Sequence, residues 1–192
     1  MPTKTLSDFK GKLLGGGARP NLFDVTITDC PFATTFDQDV FQFMCKAASL
    51  PPQNIANLDV PFRGRIFKVA GDRTIDQWSV TVINDEGFRL RNAFEEWVDL
   101  IAKLDNNLGA TDPAAYMTNA KVFQLGRGSS PNSQTNAGNA NAVLKEYEFQ
   151  DIFPTTVSAI DLSYDSTDAI EEFTVDFQVQ SFNYVGAGSP NG

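Results

Sequence analysis

The stretch FKVAGDRTIDQWSVTVINDEG, residues 67–87, contains the patterns that decide the fold of this chain. Within this stretch, apolar and small polar residues alternate in the run Trp78-Ser79-Val80-Thr81-Val82, which is typical of a β-strand. We predict a hairpin with strands at about residues 62–69 and 77–83. Its connection, residues 70–76, is longer than a tight two-residue turn.

This connection contains Gly71, Asp72 and Arg73. Glycine gives the backbone freedom to turn, Asp72 can bond to nearby backbone amides, and Arg73 can pair with a carboxylate. No nucleophile with an activating base is close in the sequence. We therefore predict that the three residues form a structural turn and not a catalytic site.

A helical pattern follows the second strand. Apolar residues recur at intervals of three and four, as on a helix that lies on a core: Leu90, Ala93, Phe94, Trp97, Ile101 and Leu104. Asn84 or Asp85 can cap the start, and Asn106, Asn107 and Gly109 end the helix.

Further strands are predicted near residues 21–28, 40–50, 144–150, 157–164 and 172–182. The last has the clearest alternation: Phe173, Val175, Phe177 and Val179 face one way, and Thr174, Asp176, Gln178 and Gln180 the other. The segment 50–61 is predicted to be a loop, but one that is too apolar to be left without packing contacts. Its apolar residues pack either under their own domain or against another subunit, and the sequence leaves both open.

These patterns predict one domain, residues 1–192, with seven or so strands and one sizeable helix between the fourth and fifth. The fold class is mainly β (α+β): two packed, mostly antiparallel β-sheets, as a sandwich or barrel, with one flanking α-helix. Small and polar residues predict a flexible N-terminal arm at 1–17, with a short amphipathic piece (Leu6, Phe9, Leu13), a flexible loop at 126–142 and a flexible tail at 185–192.

The composition argues against an ordinary enzyme. The 192 residues include no histidine, which removes the usual general base and the commonest metal ligand. The net charge of −9 argues against a protein that grips the phosphate backbone of nucleic acid. We predict no catalytic residue, metal or cofactor.

Cys30 and Cys45 lack the spacing of a zinc or redox site, and Cys45 is expected to be a buried free thiol. The first thirty residues contain no apolar signal core, and no stretch is long enough to span a membrane. We expect synthesis in a reducing, intracellular compartment.

Four stretches of sequence, taken in order, closely resemble the tail tube proteins of contractile-tailed bacteriophages of the T-even type, which are related to type VI secretion tube proteins. They are ARPNLFDVTI (18–27), FQFMCKAASLP (41–51), FKVAGDRTIDQWSVTVINDEGFRLRNAFEEW (67–97) and IFPTTVSAIDLSYDSTDAIEEFTVDFQV (152–179). The run from Ala70 to Glu86 is the most specific part.

The resemblance implies a structural virion protein, made in the host cytoplasm, that forms hexameric rings with itself. The rings stack into a tube that conducts DNA during ejection without binding it specifically. The implied partners are the tape-measure protein inside the tube, the sheath around it and the baseplate below. Closing head to tail into a ring would also remove exposed sheet edges.

Within this reading we hypothesise that Leu50, Ile55 and Leu58 contact the neighbouring ring, and that Asp24 and Asp176 face the lumen. A baseplate tube-initiator or a type VI-like secretion tube subunit is the alternative of the same class. A small-molecule-binding β-barrel, with the Phe-rich interior as its pocket, is the alternative of another class. A hydrolase that uses Glu95 and Glu96 ranks last, because these residues lie off the apolar stripe of the helix.

Overall fold

The computed structural model describes residues 5–13, 17–28, 30, 36–126 and 143–186. The helices within these ranges are α1 Leu6–Lys12, α2 Gln38–Met44 and α3 Arg89–Ile101, with a 3-10 turn at Pro113–Ala115. The strands are β1 Phe23–Thr28, β2 Cys45–Ala48, β3 Asn54–Phe62, β4 Arg65–Thr74, β5 Trp78–Ile83, β6 Thr118–Leu125, β7 Val143–Val157, β8 Glu172–Gln178 and β9 Ser181–Gly186.

Seven of these strands form two antiparallel sheets that share β7. In sheet 1, β6 lies between β1 and β7, and β9 pairs with the other edge of β7. In sheet 2, the order is β7-β8-β5-β2. The first part of β7 belongs to sheet 1, and its last residues, from Phe153, pair with β8 in sheet 2.

The strand changes sheets at Asp151, which has a left-handed backbone (φ 53°). The backbone N–H of Asp151 donates to the Asn119 side chain at 3.1 Å. The Asn119 side chain thus replaces the hydrogen bond between strands that the Asp151 amide cannot form where the backbone is irregular.

The core lies between the inner faces of the two sheets and under α3. Trp78 of sheet 2 stacks on Phe149 of sheet 1 with ring centroids 4.6 Å apart. From α3, Phe94 packs edge-on against Phe173 and Phe177. Trp97 is fully buried, and its indole N–H donates to the Tyr116 carbonyl at 2.7 Å. Aromatic packing therefore holds sheets and helix together.

The predicted helix is confirmed, with a different end. Leu90, Ala93, Phe94 and Trp97 are buried as expected. Leu104 is 92% exposed, because the helix stops at Ile101 and the chain folds back so that the Ala110 amide bonds to the Leu100 carbonyl.

At the start of the same helix, Asp85 accepts a 3.1 Å bond from the Arg89 amide, so it caps the first turn. The Arg89 side chain, which donates to the Asp85 carboxylate at 2.9 Å, holds the pKa of Asp85 below its usual value, and the bond from the Arg89 amide adds to this effect. Asn84 bonds instead to the Glu171 side chain.

The predicted fold class, two packed antiparallel sheets with a flanking helix, is confirmed. The sheets do not close into a barrel within the described residues of one chain, because β1 and β2 end the strand path without pairing with each other. The two shorter helices were not counted in the prediction, although α1 covers the expected amphipathic piece.

The strand predicted at 40–50 is wrong for its first half, which forms α2. The Asp37 side chain caps this helix through the amides of Asp39 and Val40, and Phe41 is buried while Phe43 is 84% exposed. Local capping thus overrode the apparent period of two. Only Cys45–Ala48 continue as a strand.

The C-terminal half also differs from the prediction. The strand expected at 157–164 is absent, because β7 ends at Val157 and the chain runs irregularly to Glu171. Strand β6 was not predicted at all. The tail expected from residue 185 begins inside β9, which runs to Gly186. The flexible loop predicted at 126–142 lies outside the described residues from residue 127 onward, as does the predicted flexible tail beyond residue 186.

A hairpin is present, as predicted, but its two strands lie earlier in the chain than predicted. Strands β3 and β4 pair with each other through a two-residue turn at Arg63 and Gly64, both with positive φ (43° and 81°). Such a turn matches the twist of paired strands. The segment 50–61 is therefore mostly strand and not loop.

The structural turn predicted at Gly71, Asp72 and Arg73 is wrong, because all three lie in β4. The register shifts there, so that Gly71 and Asp72 both stand opposite Ala56. A β-carbon on Gly71 would lie 3.1 Å from the Ala56 carbonyl oxygen. Gly71 therefore lies in a β-bulge, where the absence of a side chain allows the close approach of the Ala56 carbonyl.

Candidate assembly surfaces

The hairpin β3–β4 projects from the body of the subunit. Its two strands pair with each other and make no substantial contact with another element in the described parts of the chain. Every residue from Ile55 to Thr74 is exposed. A long two-stranded hairpin without a packed face is at best marginally stable in water.

One face of the hairpin is apolar. Strand alternation and the register place five side chains together there, which we call the apolar hairpin face: Leu58, Val60, Phe62, Phe67 and Val69. Their exposed fractions run from 39% for Val69 to 66% for Phe67. A contiguous exposed apolar patch of this kind marks an interaction surface.

The opposite face is mixed. Asp59 stands directly across from Lys68, while Ile55 and Ile66 are exposed by about 60%. The three residues predicted to contact another ring therefore lie in three different places. Leu58 belongs to the apolar hairpin face, Ile55 lies on the opposite face, and Leu50, 45% exposed, precedes the hairpin. Sequence reasoning missed Phe62, Phe67 and Val69, although their alternation with charged residues was visible.

Among the described residues, the body of the subunit presents strand edges that pair with no further strand. Strands β1 and β2 end the strand path, and β9 pairs on one side only. Exposed edges are sites at which another strand can add. They provide a second type of surface for a neighbouring copy.

The outward face of sheet 1 carries Asp24. It lies on the side of β1 opposite the buried Val25, and the Gln42 amide donates to its carboxylate. Nearby on this sheet, Lys121 bonds to Glu146 at 2.9 Å and lies 3.5 Å from Glu148. The Glu146 carboxylate raises the pKa of Lys121 by bonding to its charged form.

The outward face of sheet 2 carries Asp176. It accepts a hydrogen bond from Ser79 on the neighbouring strand. Around it, Thr81 pairs with Thr174, and Lys46 forms an ion pair with Glu172. Short polar side chains dominate this face.

Asp24 and Asp176 therefore lie on the outward faces of different sheets. Because the inward faces pack on each other, the two outward faces point away from the core in different directions. A single channel wall formed by one sheet can include one of these carboxylates but not both.

A third exposed surface surrounds the segment 158–171. It contains three large apolar side chains that are at least 71% exposed: Leu162, Tyr164 and Ile170. A concave region of about 400 Å³ lies between this segment and α3, lined by Phe88, Glu95, Ile160, Leu162 and Glu171 among others.

The chemistry of the described residues offers no reaction centre. In the part of the chain that the structure describes, no group of three or more Cys, Asp and Glu side chains could hold a metal ion. Cys45 is a free thiol, and burial raises its pKa to about 12. None of the described helices has the length and apolar character to cross a membrane.

Comparison with known sequences supports a structural role. A family model described as phage tail tube protein matches residues 18–185. Tail tube protein gp19 of Enterobacteria phage T4 is 37% identical over 161 residues, which cover 84% of this chain and 88% of that protein. The tail tube protein of Serratia phage KSP90 is 25% identical over 178 residues, 91% of this chain and 93% of that protein.

Two solved structures illustrate the likeness in fold. A chain of the anti-feeding prophage baseplate, six-fold symmetrised, aligns with a TM-score of 0.62 at 10% identity, over 90% of this chain and 97% of that chain. A chain of the sheath–tube complex of an extracellular contractile injection system aligns with a TM-score of 0.58 at 12% identity, over 96% and 100%. At this identity the likeness shows the fold alone.

Together, the family match over residues 18–185 and the identity to the T4 protein fix the assignment. The chain belongs to the phage tail tube protein family and is a structural component of a contractile-tailed bacteriophage virion, not an enzyme.

Proposed function

We propose that copies of this chain form hexameric rings, and that the rings stack into a tube whose lumen conducts DNA during ejection. The observation that carries the proposal is the apolar hairpin face, which packs on no other element among the residues that the structure describes. A neighbouring copy would bury it. The sixfold symmetry imposed on a baseplate that contains a chain of this fold is consistent with six copies in a ring.

Within the tube, the hairpin contacts the adjacent ring. We include Leu50, Ile55 and Leu58 in that contact, with the apolar hairpin face as its centre. Burying one Leu, Val or Phe side chain contributes about 1.5–3 kcal/mol. A ring would repeat this contact in each of its copies, so the stacked state would be strongly favoured.

The lumen wall is formed by sheet 2. The hairpin leaves this sheet from β2 and returns to it in β5, so hairpins that reach along the tube axis extend the same wall. The short polar side chains around Asp176 suit a wall past which DNA slides, and the overall acidic charge opposes adhesion of phosphates. Asp24, on sheet 1, then lies away from the lumen.

The other partners follow from the same role. Sheath protein surrounds the tube, by analogy with the sheath–tube complex that contains a chain of this fold. The tape-measure protein occupies the lumen before DNA does. Synthesis in the host cytoplasm precedes assembly. A small-molecule β-barrel is disfavoured, because the interior in which its ligand would sit is filled by rings such as Trp78 and Phe149.

Negative-stain imaging of the purified protein tests the proposal. We expect rings or tubes, either spontaneously or on a baseplate template. Monomers that stay monomeric at all concentrations, with and without the template, would refute it.

The lumen assignment has its own test in phage that carry single substitutions. Asp176→Lys should slow DNA release, measured with a dye that reports free DNA, because it places a cation against the passing phosphates. The matched change Asp24→Lys should leave the rate unchanged. A slower release with Asp24→Lys alone would assign the lumen to sheet 1.

A further inference from the structure

Helix α1 makes no substantial contact with any other described element of its own subunit. Its apolar residues Leu6, Phe9 and Leu13 recur at three and four residues, and they are 70%, 61% and 44% exposed. None of its seven residues is buried. The helix also carries Lys10 and Lys12 in its last turn.

Such a helix needs an external surface to be stable. Its start is well formed, since Thr5 and Asp8 exchange side-chain and backbone bonds in a capping box. However, isolated helices shorter than about 12 residues are marginal in water, because nucleation is costly. Docking of the Leu6–Phe9–Leu13 stripe would supply the missing stabilisation.

The segment 158–171 has the complementary properties. Together with α3 it forms the concave region of about 400 Å³, whose apolar lining is Phe88, Ile160 and Leu162. The segment contains four carboxylates and no Lys or Arg, namely Asp161, Asp165, Asp168 and Glu171, and Glu171 is the one that lines the concave region. On the α3 side the lining includes Arg91 and Glu95, which form an ion pair at 2.6 Å, so the remaining charge of the region is acidic. We call this region the acidic groove.

We propose that α1 of one copy docks in the acidic groove of a second copy, with its apolar stripe on Ile160 and Leu162 and its lysines facing the carboxylates. The proposal rests on the self-assembly proposed above. Each copy carries one donor helix and one acceptor groove, so the contact is head to tail and can repeat through a ring or from ring to ring. Lys10 and Lys12 meet an excess of acid there, which favours this mutual orientation.

Cysteine cross-linking between two differently labelled populations tests the contact. One population carries Phe9→Cys and is labelled with 15N, and the other carries Leu162→Cys at natural abundance. Leu162 is 80% exposed, so its replacement leaves the core intact. After assembly of the mixture and mild oxidation, mass spectrometry identifies the peptide that joins positions 9 and 162. A hybrid of labelled and unlabelled halves arises only between two chains.

Gly11→Cys is the matched control for the helix. Gly11 lies on the side of α1 away from the apolar stripe, and a β-carbon there meets nothing within 4 Å. A disulfide needs β-carbons within about 4.5 Å, so a docked stripe should give most of the hybrid product with Phe9→Cys and little with Gly11→Cys. Wild-type protein, with Cys30 and Cys45 only, gives the background.

The outcomes separate this contact from the proposed tube. Tubes without the hybrid peptide, or with equal yields from Gly11→Cys and Phe9→Cys, overturn the docking and leave the tube proposal intact. The hybrid peptide without rings or tubes supports the docking and removes the tube proposal. If neither tubes nor the hybrid form, both are wrong.

Discussion

Replacing Phe67 with alanine should weaken stacking of the subunits without unfolding them. Phe67 is 66% exposed in the single subunit, so the change removes little that the fold itself uses. Full burial of such a side chain contributes about 1.5–3 kcal/mol, and the exposed two thirds therefore leave about 1–2 kcal/mol for the contact with a neighbour. At 1.4 kcal/mol for each factor of ten, the loss corresponds to a roughly 5- to 30-fold weaker contact per subunit.

The critical concentration for polymerisation measures this effect. Tubes are pelleted from samples of increasing total concentration, and the protein that remains in the supernatant gives the critical concentration. For Phe67→Ala we expect it to rise by about 5- to 30-fold. The midpoint of thermal unfolding, followed by circular dichroism on unpolymerised protein, should stay unchanged.

The neighbouring residue Ile66 provides a matched control. It is 63% exposed, sits one position earlier in β4 and faces the opposite side of the hairpin. Ile66→Ala should change the critical concentration by less than Phe67→Ala does. An equal or larger effect of Ile66→Ala, or no effect of Phe67→Ala, would refute the assignment of the apolar hairpin face as the centre of the contact.

Three further predictions concern the subunit itself. Trp97→Ala should cost about 3–5 kcal/mol of the free energy of unfolding in urea, since it opens a void and leaves the Tyr116 carbonyl without its donor; a loss below about 1 kcal/mol would contradict the packing described. Cys45, with a pKa of about 12, should resist alkylation at pH 8 in the folded protein and react quickly in urea; rapid labelling of the native protein would show that the thiol is accessible and ionised. Asp85→Asn should lower the midpoint of thermal unfolding at pH 7, because folding lowers the pKa of the Asp85 carboxyl below its ordinary value of 3.8. The ionised carboxylate therefore stabilises the fold at any pH above 3.8, and this stabilisation is lost as the pH falls through the folded pKa. The two midpoints should therefore converge once the pH has fallen below the folded pKa of Asp85, and a difference that persists at that point would assign the effect to something other than the charge of Asp85.

The sequence was informative where one physical effect dominated. The stripe of α3 and the alternation of β8 follow from burial against a single core, and both are confirmed. Segment 38–44 shows the limit, because Val40, Phe41 and Met44 suit a helix as well as Phe41, Phe43 and Cys45 suit a strand. The Asp37 cap decides between them, and its effect is local.

The hairpin was misplaced for a different reason. Glycine is a common turn residue, so Gly64 and Gly71 are both candidates for the turn of the hairpin. Their backbones differ, since only Gly64 has positive φ, whereas Gly71 accommodates the close Ala56 carbonyl. That distinction depends on which strand lies opposite, which a single sequence does not encode locally. For the same reason, alternation identified Asp24 and Asp176 as outward residues but could not show that they belong to different sheets.

The sharing of β7 between the two sheets has a consequence for biosynthesis. Sheet 1 lacks its central strand and sheet 2 lacks both β7 and β8 until residues 143–178 have left the ribosome. A nascent chain can close the local β3–β4 ribbon early, because its strands are adjacent in sequence, but it has no finished body to present to other copies. For the assembly proposed above, we therefore expect a chain to become competent to join other copies only after residues 143–178 have folded into both sheets.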